Sequence, residues 1–162
     1  MRNGFKMKGR YQLEHWRNGK LLQVLKGHND IVDEGLDKLL DVQFHGTTPI
    51  NPWYIGLVDN ASWTAFADAD TLASHAGWLE NTDYAGTRKE WTEDAASGQS
   101  ITNTTVVTFV MNATKVIKGI FVNSATSGTV GTLWATASFA STISVVNADE
   151  IKLTYTVDAA HA

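Results

Sequence analysis

The chain has 162 residues, a net charge of −4, 43% hydrophobic residues, 19% charged residues and no cysteine. This length and composition predict one folded domain with its own core, and the lack of cysteine excludes disulfides, thiolate metal sites and cysteine nucleophiles. No apolar run reaches the ~18 residues of a membrane span, and the basic amino terminus is not followed by an apolar stretch as long as that of a signal peptide. We therefore expect a soluble product made in the cytoplasm.

Basic residues are concentrated at the amino terminus. Residues 1–28 contain seven Lys or Arg and one acid, a net charge of +6, so the remaining residues carry −10. Such a segment is either an arm that docks onto an acidic surface or the exposed face of an ordinary hairpin, since its charges alternate with apolar residues. The pI of about 5.6 argues against a nucleic-acid-binding domain, since such domains are typically basic. The seven bases are Arg2, Lys6, Lys8, Arg10, Arg17, Lys20 and Lys26.

The first part of the chain predicts a hairpin and then a helix. Residues 9–17 and 20–26 flank Asn18-Gly19, a pair that favours a type I′ turn because both positions tolerate positive φ. Asn29 or Asp30 can cap a helix over about residues 30–42, which we expect to pack its apolar stripe on the β body. That stripe consists of Ile31, Val32, Gly35, Leu36, Leu39 and Leu40.

The rest of the chain predicts mostly β-structure. Residues 53–58 form a nearly continuous apolar run, as expected of a strand buried on both faces. Residues 61–98 show no sustained period beyond a strand at 87–92 and a helical turn near 70–75. Alternation and β-branched content predict further strands, the last with Ile151, Leu153, Tyr155 and Val157 on one face. These strands are at 101–111, 115–123, 129–138 and 150–157.

These elements predict a mainly β fold class. The body is a β-sandwich or barrel of about 7–9 strands with one amphipathic helix. The chain divides into a basic arm and hairpin at residues 1–28 and a single β-rich domain at residues 29–162.

The sequence offers no catalytic site, metal site or cofactor motif. The five histidines lack the close spacing of zinc ligands, and Asp68-Ala69-Asp70-Thr71 lacks the later Gly and Glu of an EF-hand loop. Nucleophile-elbow and nucleotide-loop motifs are absent. Acidic pairs could in principle serve a glycosidase, but carboxylates are common, so we expect no enzyme. Those acids are Glu80 with Asp83, and Glu90 with Glu93 and Asp94.

The six tryptophans allow two interpretations. Trp53 and Trp134 lie in apolar strands, which predicts that they belong to the core, whereas four others have polar neighbours. Exposed rings either anchor protein contacts or form platforms for sugars. The predicted interface residues therefore combine basic and aromatic side chains: Arg2, Lys6, Lys8, Arg10, Trp16, Arg17, Trp63, Trp78 and Trp91.

Two segments resemble small virion proteins of tailed bacteriophages. They are residues 53–60 with 63–78, and residues 117–122 followed by 131–134; the likeness continues thinly to the carboxyl end and covers about two-thirds of the chain. These phage proteins look like head decoration, or cement, proteins, and no catalytic motif accompanies the resemblance.

The resemblance implies a role on the surface of the virion. A decoration protein binds the major capsid protein and neighbouring copies of itself, and bridges capsomers against the pressure of packaged DNA. Neither a membrane nor direct contact with nucleic acid is expected. The alternative is a protein of the tail, neck or fibre with a carbohydrate-binding β-sandwich that uses Trp63, Trp78 and Trp91.

Overall fold

A computed structural model describes residues 4–161. In this range the chain forms ten β-strands and one α-helix, which confirms the predicted mainly β, barrel-like fold with slightly more strands than expected. The elements are β1 Phe5–Arg17, β2 Lys20–Ile31, α1 Asp33–Phe44, β3 Trp53–Asp59, β4 Leu79–Asn81, β5 Lys89–Trp91, β6 Ser100–Thr102, β7 Val107–Val110, β8 Lys115–Asn123, β9 Leu133–Val145 and β10 Glu150–His161. No helix among these residues is long and apolar enough to cross a membrane.

The strands form one curled antiparallel sheet. Its order is β4-β3-β8-β9-β2-β1-β10-β6, with β5 also paired to β3 and β7 to β10. The two ends of the sheet meet just after β5 and β6, where Thr104 N donates to Thr92 O at 2.8 Å and Asp94 N donates to Thr102 O at 2.9 Å. These bonds close the curl, so the body is barrel-like.

The predicted hairpin is confirmed and forms the centre of the sheet. Asn18 and Gly19 have φ of 50° and 73°, as a type I′ turn requires. β1 pairs with β2 on one side and with β10 on the other, in register from Phe5 opposite His161 to Trp16 opposite Glu150. The described part of the predicted basic arm is therefore a paired strand and not a free extension, because its alternating inward residues join the core. Arg2 lies outside the described residues.

The helix begins later than predicted and turns part of its apolar stripe outward. Asp30 and Ile31 extend β2 and pair with β9, so the helix starts at Asp33 after Val32, and neither predicted side-chain cap forms. The helix lies close against the sheet at Gly35, where a Cβ would collide with the Trp134 carbonyl oxygen.

Leu36 and Leu40 were expected to face the body but are 42% and 55% exposed. Successive residues are rotated by ~100° around a helix, so the contact at Gly35 directs these two leucines to the side and away from the sheet.

Residues 61–98 were the least predictable stretch. The expected helical turn near 70–75 is wrong: Thr71 and Ser74 exchange backbone bonds of 3.0 and 3.2 Å in a tight turn. The strand predicted at 87–92 is present but shorter, as β5.

The carboxyl-terminal strands follow the prediction more closely. Residues 115–123 form β8 with the predicted bounds, whereas 101–111 divides into β6 and β7, and the strand predicted at 129–138 is found at 133–145. All four residues predicted on one face of β10 are buried.

Two hydrophobic clusters hold the body together. The larger fills the interior of the curled sheet and includes Leu13, Phe109, Phe139, Ile151 and Tyr155. The smaller lies beside α1 and consists of Val32, Val58, Leu72, Trp78, Phe121 and Leu133, with Trp63, Phe66 and Ala125 packed against it.

Candidate protein-binding surface

The basic residues of the hairpin lie on one outer face of the sheet. Alternation along β1 turns Lys6, Lys8 and Arg10 outward and buries Tyr11 and Leu13. The register of β2 sets His28 opposite Arg10 and Lys26 opposite Gln12, so these side chains share that face. We call Lys6, Lys8, Arg10, Lys26 and His28 the basic face.

Three cations of the basic face are unpaired within the described chain. Arg10 Nε donates to Asp158 Oδ2 at 2.7 Å, and Arg10, followed by a hydrogen bond from Ser100, lowers the pKa of Asp158. Lys6, Lys8 and Lys26 take part in no ion pair among residues 4–161. Exposed, unpaired ammonium groups on a broad sheet face attract an acidic partner, and salt screens that attraction.

The other end of the hairpin is occupied by structural contacts. Arg17 donates from Nε and Nη2 to the two oxygens of Asp149, both at 2.8 Å, and His15 Nε2 lies 2.7 Å from Oδ2. The Arg17 guanidinium, more than any other contact, lowers the pKa of Asp149, whose side chain is 1% exposed. Trp16 is half-buried and donates from Nε1 to Glu14. Arg17 thus anchors the turn between β9 and β10.

Trp78 and Trp91 are not on the surface, which corrects the prediction that they are interface residues. Trp78 is 1% exposed, and its Nε1 donates to Asp70 Oδ2 at 2.9 Å while its ring stacks on His75. Trp91 is 5% exposed and donates to the Tyr155 carbonyl oxygen at 3.1 Å. The indole N–H of Trp78 is satisfied by a polar residue nearby in the sequence and that of Trp91 by a distant backbone carbonyl, so the polar neighbours of these residues did not indicate exposure.

Trp63 is the remaining loop tryptophan and is half-buried. Its ring packs edge-on against Phe66 with centroids 4.6 Å apart, and Lys118 Nζ lies 5.7 Å from its centre. One side of this ring is therefore already occupied within the chain.

Trp53 and Trp134 border an apolar hollow and are only half-buried, not enclosed in the core as predicted. Their ring centroids are 5.9 Å apart. The hollow measures about 250 Å³ and lies between α1 and the sheet at one end of the body, a common position for pockets in barrel-like folds. Its walls include Met7, Leu39, Ile50, Trp53, Trp91 and Trp134.

Arg88 organises a buried polar centre that sequence reasoning missed. Its Nε and Nη2 bind the two oxygens of Glu80 at 2.8 and 2.6 Å. Nη1 donates to Asn123 Oδ1 and the Ala125 carbonyl, and Nη2 also donates to the Gly128 carbonyl. Since the partners lie up to 40 residues away, no local pattern could have indicated this centre.

The acidic pair that could have suggested a hydrolase has other partners. Glu80 is bound to Arg88, and Asp83 lies 3.0 Å from Lys115 Nζ, which Asp59 also approaches at 3.6 Å. Within residues 4–161, no group of three or more His, Asp or Glu side chains is positioned to hold a metal ion.

Comparison with known proteins adds no identification. The chain matches no protein-family model and no curated protein sequence.

Proposed function

We propose that this chain is a non-enzymatic structural protein of a tailed bacteriophage, a decoration protein that binds the outer surface of the capsid. Its partner is the major capsid protein, and many copies on one lattice add their individually modest affinities. The observation that carries the proposal is the basic face, which offers three unpaired lysines on an otherwise acidic molecule.

The two segments that resemble virion proteins pack against each other. Residues 53–60 and 117–122 pair as neighbouring strands β3 and β8. Trp78 and Phe121, one from each segment, lie 5.0 Å apart, and Phe66 packs edge-on against Trp78. Apart from Val32 and Ala125, every member of the smaller cluster comes from these segments. Residues from both segments therefore share the smaller cluster, while others, such as Ile55 and Ile120, belong to the larger one.

The basic face is suited to contact with an acidic protein surface. Its cations extend along β1 and across to β2, on paired strands: β1 pairs with β10 from Phe5 and with β2 from Gly9. The paired strands hold the charges in place before binding, which lowers the entropy cost of association. Charge complementarity of this kind accelerates docking and selects acidic partners.

The alternative role in sugar binding has less support. It required an exposed platform of Trp63, Trp78 and Trp91, and two of these rings are buried. A protein partner suits the exposed cations better than a neutral glycan does.

The test is co-sedimentation of the purified chain with undecorated capsids of the phage that encodes it. We expect saturable binding that weakens with added salt. The double variant Lys8→Glu/Lys26→Glu should bind roughly tenfold less tightly or worse, because each reversal replaces an attraction of about 1 kcal/mol by a repulsion.

Lys20→Glu is the matched control. It reverses one charge instead of two on the same hairpin, but near the turn, about 30 Å along the strands from Lys8 and about 20 Å from Lys26. If the unaltered chain does not bind, or if Lys20→Glu weakens binding as much as the double variant, the proposal is wrong.

A further inference from the structure

Helix α1 carries an apolar stripe on its solvent side. Leu36, Leu40 and Phe44 are spaced four residues apart, so they align along one side of the helix, and they are 42%, 55% and 80% exposed. Phe5, at the start of β1, is 66% exposed and lines one shallow groove with Leu36. We call Leu36, Leu40, Phe44 and Phe5 the apolar stripe.

This exposure exceeds what packing of the helix requires. The side of α1 that faces the sheet has its own residues, Gly35 against Trp134 and Leu39 and Val42 at the hollow. At about 200 Å² for a fully exposed large apolar residue, the stripe exposes roughly 500 Å². Contiguous apolar surface of that size on a soluble domain is typical of an interaction site.

Opposite charges border the stripe on its two sides. Lys6 and Lys8 line the groove with Phe5 and Leu36, and Leu39 lines it too. One acid, Asp30, also lines this groove, so the lysines outnumber it and this is the basic side. Asp37 directly follows Leu36 in the sequence, so it is rotated ~100° around the helix, away from Leu39. The acidic side contains Asp33, Asp37 and Asp41, again spaced four residues apart.

These charges are available to a partner. Across residues 4–161, no ion pair involves the two lysines or the three aspartates. The acidic side, the apolar stripe and the basic side thus lie in parallel bands.

We propose that the apolar stripe is the interface of a two-fold symmetric homodimer. A two-fold axis that runs along the stripe brings the stripes of two copies together and sets the basic side of each copy opposite the acidic side of the other. The arrangement has the usual anatomy of an interface, an apolar centre with a charged rim. With its rim, the stripe approaches the ~800 Å² per partner of a standard interface.

The dimer does not depend on capsid binding. Lys6 and Lys8 belong to both surfaces, but the apolar centre of the dimer is on α1 and the tip of β1, whereas Arg10 and Lys26 of the basic face lie farther along the hairpin. Substitutions in the apolar centre therefore test the dimer without changing the basic face. The two ideas can therefore fail separately.

The first test is sedimentation velocity from about 1 to about 200 μM protein, a range that brackets the affinity of a modest interface. We expect a reversible monomer–dimer equilibrium. The variant Leu40→Gln/Phe44→Gln should weaken it at least tenfold, while Leu22→Gln, which alters a leucine of similar exposure on β2, should not. A monomer throughout the range, or equal effects of the two variants, overturns the proposal.

A charge-reversal experiment tests the symmetry. One variant reverses the basic side, Lys6→Asp/Lys8→Asp, and the other reverses the acidic side, Asp37→Lys/Asp41→Lys. Each variant alone sets like charges together at both edges of the dimer and should remain monomeric. An equimolar mixture restores attraction at both edges and should dimerise.

The mixed sample excludes a folding defect, because unfolded variants could not recover on mixing. A mixture that stays monomeric refutes the two-fold arrangement. Failure of capsid co-sedimentation with the dimer intact would refute only the proposed function.

Discussion

Replacing Arg88 tests the reasoning about the buried polar centre most directly. Its side chain is 3% exposed, and it binds both oxygens of Glu80 as well as acceptors on Asn123, Ala125 and Gly128. In Arg88→Met the apolar stem remains, but the Glu80 carboxylate and two backbone carbonyls lose the donors that Arg88 supplies, and Asn123 Oδ1 keeps only the Ala125 N–H. Removing one partner of a buried ion pair costs about 3–5 kcal/mol.

The lower end of that range applies here, because Glu80 is 19% exposed and water can solvate part of its charge. We therefore expect a loss of about 3 kcal/mol in the free energy of unfolding. For a domain of this size, that corresponds to a fall in Tm of roughly 6–12 °C. Urea and thermal unfolding followed by circular dichroism would measure both quantities.

Arg10→Met is the matched control. Arg10 also pairs with a carboxylate, Asp158, but the two side chains are 53% and 36% exposed. Such surface pairs contribute below about 1 kcal/mol. If Arg88→Met destabilises the protein no more than Arg10→Met does, burial does not make the Arg88–Glu80 pair more important for stability than an exposed pair.

Two further substitutions test the packing of the sheet. The pKa of Asp149 in the folded protein lies below the ordinary value near 4. Its ionised form therefore stabilises the folded protein above about pH 4, and this stabilisation is lost as the pH falls toward the folded pKa. Asp149→Asn should lower the free energy of unfolding by about 3 kcal/mol at pH 7, and urea titrations should show that this free energy declines less steeply below about pH 5 than in the unaltered protein. A Cβ at Gly9 would collide with the Asn29 side chain and lie 2.7 Å from Tyr155 Oη, so Gly9→Ala should cost at least about 2 kcal/mol. Asn29→Ala should recover much of that loss in a double-mutant cycle, and simple additivity would contradict the proposed collision.

Features encoded by short stretches of sequence were predictable. The Asn18-Gly19 turn is determined by the two residues that adopt positive φ, and the bounds of β8 follow from β-branched residues between turns. The inward face of β10 follows from simple alternation. In each case the residues that determine the structure are adjacent in the chain.

Features decided by distant partners were not predictable. The helix starts late because pairing of β2 with β9, about 100 residues away, continues through Asp30 and Ile31. Buried Trp91 donates to a backbone carbonyl 64 residues later in the chain, and Arg88 donates to acceptors up to 40 residues later. The periodic pattern of apolar residues in a short stretch of sequence does not indicate contacts between distant parts of the chain. The error on Trp78 is different, since its partner Asp70 is near in sequence and only the burial of the pair was missed.

Of the two interpretations of the uneven charge, a docking arm and the exposed face of a hairpin, the structure agrees with the second, and this decides how the role of the basic residues should be tested. If the basic segment were a free arm, deletion of residues 1–28 would separate docking from folding. In the structure β1 pairs with β10 from Phe5 to Trp16 and with β2 from Gly9 to Arg17, and Leu13 is fully buried. Deletion would remove most of two strands from the middle of the sheet and expose the core, so loss of binding would report unfolding. Reversal of outward charges leaves the inward residues of β1 unchanged, and any change in binding can then be assigned to the basic face itself.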